Sequence, residues 1–153
     1  MIMNIRWIGV WLVLVMMSCQ PSAHKKGVSP LTLLGSWELI AAETTEGGET
    51  INTFVPGRKM IKIINPYHFS FVNHDVNKGR DSLAYFAAGA GNYTLDGQTY
   101  TEQLEFCTAR AWEGHTFKFE LEIKGDTLIQ QGVEENKALG VDRYIVETYI
   151  RTK

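Results

Sequence analysis

At 153 residues the chain has room for one domain once its N-terminus is set aside, and its formal charge of -2 includes no basic stripe for nucleic acid. The four histidines, His24, His68, His74 and His115, show no metal-ligand spacing. No Gly-X-Ser-X-Gly elbow or phosphate-cradling glycine motif occurs. The expectation is therefore no metal, no cofactor, no nucleic-acid partner and no nucleophile with its base.

The first 18 residues carry Arg6 and then an apolar run, Trp7 to Met17, too short to span a bilayer comfortably. They read as a secretory signal peptide. Its end, Met16-Met17-Ser18-Cys19, resembles a bacterial lipobox, in which the cysteine is lipidated and becomes the mature N-terminus. That resemblance implies a lipid anchor on Cys19 and a place in the cell envelope, at the periplasmic face or the outer membrane. Gln20 stands where an aspartate would signal inner-membrane retention in some bacteria. Cleavage would remove Arg6 and no acidic residue, taking the charge from -2 to -3. Residues 19–32, with Pro21, Gly27 and Pro30, read as a flexible tether, and the domain covers 33–153. With Cys19 lipidated, Cys107 has no intramolecular partner, so packing alone holds the domain.

From Ser36 onward the pattern alternates with period two and lacks long helical periodicity, which predicts strands. The first covers 36–43, with Trp37, Leu39 and Ala41 on one face and Glu38 and Ile40 on the other. A loop of turn formers over 44–57 precedes a strand over 58–64, which Asn65-Pro66 breaks. The next strand, 67–73, sets Phe69 and Phe71 opposite His68, Ser70 and Val72. A long loop over 74–91 ends in the run Ala87-Ala88-Gly89-Ala90-Gly91, and a short strand follows at 92–95. Asp96-Gly97 is the strongest hairpin signal in the chain. It opens a strand over 98–106 in which Tyr100, Glu102, Leu104 and Phe106 share a face. Residues 107–115 form a polar loop with room for a short helix. The strand over 116–124 alternates cleanly, with Phe117, Phe119, Leu121 and Ile123 inward. Gly125-Asp126 turns the chain into a strand over 127–132; a polar loop at 133–142 and a last strand at 143–151 complete it.

Eight antiparallel strands, each beside its neighbour in sequence, remove their edges by closing into an up-and-down β-barrel. Closure requires the last strand to pair with the one bearing Trp37. The tight and long connections alternate, so they fall on opposite ends. One end is pinched shut, and the other is a mouth built from four long loops.

Gly35-Ser36-Trp37 resembles the Gly-X-Trp signature of the lipocalins and the wider calycin superfamily. The resemblance implies that Trp37 plugs the closed end and that an arginine of the last strand packs across its ring. Arg151 falls at that position, with Arg143 as the other candidate. Tyr93-Thr94-Leu95-Asp96-Gly97 and the stretch from Phe119 to Leu128 look like the lipocalin-like domains of exported bacterial lipoproteins. The chain departs from secreted lipocalins in lacking a C-terminal helix and their usual disulfide, which argues for a shallower cup.

An inward carboxylate is costly without a partner, so Glu102 is a candidate ligand or acid–base group, or the partner of Arg110 or a tyrosine. Tyr93, Tyr100 and Tyr144 are candidates to line the cavity with hydroxyls. Phe69, Phe71, Phe117 and Phe119 read as core and then as pocket wall. The mouth loops add Phe54, Tyr85, Phe86, Arg110, Trp112 and His115. The expected function is binding of a small, partly apolar molecule. The alternatives are an isomerase or hydrolase working through Glu102, Arg110 or His115, and an interaction module with a packed core that presents Trp112.

Overall fold

Period-two alternation is realised as an almost wholly β structure. The computed structural model describes residues 27–82 and 84–153. The expected signal peptide, the lipidated Cys19 and the tether up to residue 26 lie outside the described residues. Nine strands follow one another: β1 (Gly35–Glu46), β2 (Glu49–Asn52), β3 (Arg58–Ile64), β4 (His68–Asp75), β5 (Phe86–Asp96), β6 (Thr99–Cys107), β7 (Thr116–Lys124), β8 (Thr127–Asn136) and β9 (Val141–Arg151). Each of β3 to β9 pairs antiparallel with its neighbours, and β9 returns to β1 from Trp37 opposite Arg151 to Thr45 opposite Tyr144. That pairing closes an eight-stranded up-and-down barrel of β1 and β3–β9. The ninth strand, β2, is a short hairpin arm on the upper part of β1 alone.

The tight turns gather at one end. Between β3 and β4 the Asn65 side-chain oxygen accepts from the backbone N–H of Tyr67 at 2.9 Å and of His68 at 2.7 Å. Between β5 and β6, Gly97 supplies the positive φ, 63°, that a two-residue hairpin turn demands. The opposite end carries the β2 arm, residues 76–82 and 84–85, a loop with a 3₁₀ turn at Arg110–Trp112, and a second 3₁₀ turn at Lys137–Leu139.

The closed end is sealed from below by the segment that precedes β1. Val28 donates its N–H to Gly97 O at 2.9 Å, and a single helical turn, α1 (Pro30–Leu33), brings Leu33 into the core fully buried. Trp37, also fully buried, donates its indole N–H to Leu33 O at 2.9 Å. Arg151, and not Arg143, lies over the Trp37 ring, its guanidinium carbon 4.0 Å from the ring centre. Its Nη1 donates to Leu34 O at 2.8 Å and its Nη2 to Thr32 O. Gly35 sits beside this stack at φ 132°, where a Cβ would come within 2.7 Å of Arg151 Nη1. Glycine there is a requirement of backbone and space together.

Five expectations need correction. The expected loop over 44–57 holds the end of β1 and all of β2, which pair from Glu43 opposite Asn52 to Glu46 opposite Glu49. The small-residue run is not loop: β5 begins at Phe86 and includes all of it. Small residues are needed because a Cβ on Gly89 would meet the Phe71 ring at 2.5 Å, and one on Gly91 would lie 1.8 Å from Gln103 O. Ala41 does not share the face of Trp37 and Leu39. A bulge between Leu39 and Ala41 shifts the phase, so Ala42 and Thr44 are buried instead. A second irregularity, opposite Ala90 and Gly91, does the same in β6. Phe106 turns outward, 64% exposed, and leaves the face of Tyr100, Glu102 and Leu104. Finally, residues 133–136 are strand, because Glu134 and Asn136 alternate inward and find partners. Glu134 meets Arg143, and Asn136 donates to Ala111 O at 3.0 Å.

Candidate functional site

The interior divides into two halves. Toward the base, Trp37, Phe69, Tyr100, Leu121, Leu128 and Tyr149 are all essentially fully buried and fill it. Toward the mouth the strands enclose a cavity of about 360 Å³. Its apolar wall comes from Met60, Phe71, Leu104, Trp112, Phe117 and Phe119. Its polar side comes from Lys62, Asn73, Glu102, Gln130, Glu134, Arg143 and Glu147.

Lys62 organises the floor. It is on the inward face of β3 with Met60 and Ile64 and is only 3% exposed. Its ammonium donates to Gln130 Oε1 at 2.6 Å and to Glu102 Oε1. The rings of Tyr100, Phe69 and Tyr149 stand 5.3, 5.5 and 6.0 Å from Nζ. A lysine this deep is tolerable only because a carboxylate, an amide and three ring faces replace its water. Neighbouring Tyr149 donates its hydroxyl to Glu147 Oε2 at 2.6 Å. Burial pushes the Glu147 carboxyl above the usual carboxylate range, against the opposing pull of Lys62 and the Tyr149 hydrogen bond. Burial also raises the Tyr149 phenol, and the Glu147 charge adds to the rise. The Tyr100 hydroxyl is buried without a hydrogen bond of ordinary geometry; burial first, and then Glu102, raise its phenol too.

Nearer the mouth, Arg143 donates from Nε at 2.8 Å and from Nη2 at 2.6 Å to Glu134 Oε2, with its guanidinium 5.9 Å from the Trp112 ring. Arg58 stacks on Tyr85 at 3.7 Å. Asn73 Oδ1 is buried and has no hydrogen-bond partner among the described residues.

The sequence-predicted residues separate accordingly. Glu102, Phe71, Trp112, Phe117 and Phe119 line the cavity. Glu102 is inward as expected, but its partner is Lys62 rather than Arg110. Phe69 and Tyr100 belong to the filled half below. Tyr93 is inward on β5 but low, its ring 5.0 Å from that of Tyr100 and its hydroxyl donating to Asn65 O at 2.9 Å. Two candidates are misplaced. The Arg110 side chain is 82% exposed and pairs with Glu113 at 3.2 Å, because the 3₁₀ turn aims it away from the mouth. Tyr144 is 41% exposed on the outer wall, since period two puts it opposite Arg143 and Ile145. His115 does not line the cavity; its ring stacks on Phe117 and its Nδ1 lies 3.2 Å from Trp112 O.

Sequence reasoning missed Lys62, Asn73, Gln130, Glu134, Glu147 and Tyr149, and gave Arg143 only the ring-stacking role. One signal was available for β9. An arginine placed over Trp37 fixes the phase of an unbulged strand, so Tyr149, Glu147, Ile145 and Arg143 must share the inward face. No such anchor exists in β3, where Met60 and Ile64 compete with Ile61 and Ile63 for the core.

A larger depression of about 750 Å³ lies outside the barrel beside the base. Its charged sides are the exposed Glu120 and Glu122 and Arg151, which is committed to Leu34 O and Thr32 O, so the interior cavity is the candidate site. Among the described residues no helix is long and apolar enough to cross a membrane, and no cluster of His, Cys, Asp or Glu has metal-site geometry. Residues 32–153 match the family model described as Domain of unknown function (DUF4488). No curated protein matches the chain.

Proposed function

Taking the chain as a member of the DUF4488 family, to which it belongs by a match over the whole barrel, we propose that it is a lipid-anchored cell-envelope protein whose lipocalin-like cup binds a small, partly apolar molecule. The anchor would be on Cys19, and the partners are the ligand and the membrane, with no nucleic acid. The observation that carries the reading is the cavity of about 360 Å³ at the mouth, aromatic on one side and charged on the other. That size is near the lower end for small-molecule sites, and the lining has their usual composition, apolar walls with a few placed polar groups. An interaction module with a packed core fits less well, since the upper half of the barrel is hollow. The enzyme reading loses Arg110, which faces solvent.

Titration of the purified chain with neutral phenylnaphthylamine, read by fluorescence, tests the cup. Saturable binding that is abolished by Ala87→Trp, which fills the cavity from β5, is the expected result. Binding that is absent, or indifferent to the tryptophan, would reject it. Palmitate labelling in a bacterial host tests the anchor separately: label is expected on the wild type and not on Cys19→Ala.

A further inference from the structure

Five acidic or basic side chains line the cavity, and their formal charges do not balance. Lys62 is committed to Glu102 and Gln130. Arg143 spends both Nε and Nη2 on Glu134. The fifth, Glu147, has only the Tyr149 hydroxyl as its hydrogen-bond partner; it feels the Lys62 charge, but that ammonium is bonded to Glu102 and Gln130. The groups at the edge do not change this sum, because Arg58 and Asp75, opposite each other across β3 and β4, carry charges that cancel. Arg58 stacks on Tyr85, and the Asp75 carboxylate is taken up by the backbone N–H of Gly79 and Tyr85. Asn73 Oδ1 adds a second acceptor without a donor. The cavity therefore offers a carboxylate in excess and a free carbonyl oxygen, surrounded by the rings of Phe71, Trp112, Phe117 and Phe119.

Resting on the proposal that this cavity binds a ligand, we infer that the ligand is a small amine: a cationic ammonium directed at Glu147 and Asn73, joined to an apolar body that lies against the aromatic wall. An anion would enter a site whose two cations are already paired and whose surplus is negative. A neutral alcohol would satisfy one acceptor and bring no charge to set against the ionised form of Glu147. An ammonium supplies several donors and one positive charge at once, and ring faces favour it further. Burial holds a proton on Glu147 to higher pH than usual. Where that proton is present, the arriving ammonium releases it to solvent, and charge is conserved.

The test compares three probes of one scaffold on the unaltered full chain by isothermal titration calorimetry at neutral pH: phenethylamine, phenethyl alcohol and phenylacetate. The amine is expected to bind about tenfold or more tightly than either of the others, the scale of one charge-assisted hydrogen bond in a buried site. In Glu147→Gln, verified as folded by circular dichroism, the preference should fall to the level of the alcohol. Phenylacetate or the alcohol binding as tightly as the amine overturns the ligand class and leaves the pocket standing. No binding by any of the three overturns the pocket along with it. A preference that survives Glu147→Gln overturns Glu147 as the seat of the ammonium.

Discussion

Arg151 and Trp37 form the joint at which the barrel closes: the guanidinium lies 4.0 Å above the indole and donates onward to Leu34 O at 2.8 Å. One side chain thus ties the last strand, the first strand and the segment beneath the base. A ring contact of this kind and a charged hydrogen bond each contribute on the order of 1–2 kcal/mol. Arg151→Ala should therefore cost about 2 kcal/mol or more in urea denaturation. Arg151→Lys should recover less than half of that, because an ammonium keeps the charge but not the planar fork. An unchanged urea midpoint for the alanine variant would mean that the β1–β9 ladder holds the base unaided.

Lys62 and Glu102 are a pair that neither member can leave alone. Removing one partner of a buried ion pair costs roughly 3–5 kcal/mol, since the other charge remains in a low-dielectric interior. Replacing both by apolar residues of similar shape costs far less. Lys62→Met should accordingly be severely destabilised, whereas Lys62→Met with Glu102→Leu should regain most of the wild-type stability. Thermal denaturation of both singles and the double closes this cycle. Additive losses would show that the two charges are not coupled.

Which parts of this were legible follows from how strongly one face of each strand is marked. β7 alternates aromatic and aliphatic residues with charges, so Phe117, Phe119, Leu121 and Ile123 are inward as read. Glu102 was legible for the same reason, since Tyr100 and Leu104 flank it in phase. β3 marks both faces with apolar residues and so hides Lys62, the centre of the polar floor. Bulges defeat any fixed period: nothing in the residues around Ile40 or Glu105 announces the extra position that turns Ala41 and Phe106 outward. Glycine and alanine between 87 and 91 look like a loop until the Phe71 ring and the Gln103 carbonyl are seen pressing on them.

Asp75 stabilises the long mouth loop between β4 and β5. Its carboxylate accepts from the backbone N–H of Gly79 at 2.8 Å and of Tyr85 at 3.0 Å, and these bonds hold its pKa below the ordinary carboxylate value. A folded pKa below the unfolded one means that the contribution is complete above about pH 4, the unfolded value, and is lost as pH falls through the folded one. Wild type should therefore melt higher than Asp75→Asn at neutral pH, with the gap narrowing below about pH 4. A melting-temperature difference that stays constant from neutral pH to pH 3 would rule out this role for the carboxylate.

Gly91 is the position where the barrel has least tolerance. It pairs with Leu104 at the irregularity in the β5–β6 ladder, and a Cβ there would lie 1.8 Å from Gln103 O, which is backbone and has no rotamer to yield. The same irregularity sets the phase by which Phe106 leaves the interior while Leu104 and Glu102 stay in it. Gly91→Ala must therefore pry the two strands apart or lose the bulge, and losing the bulge would drive Phe106 toward the cavity. The cost should be about 3 kcal/mol or more, in the range reserved for overpacking against backbone. Ala90→Ser, one residue away and half-buried, should change stability by less than about 0.5 kcal/mol. Hydrogen exchange localises the effect: in Gly91→Ala the amides of β5 and β6 should exchange faster, while those pairing β8 with β9 keep their relative protection. Stability and exchange matching wild type in Gly91→Ala would show that the ladder can relax around the methyl, and that the bulge does not set the inward face of β6.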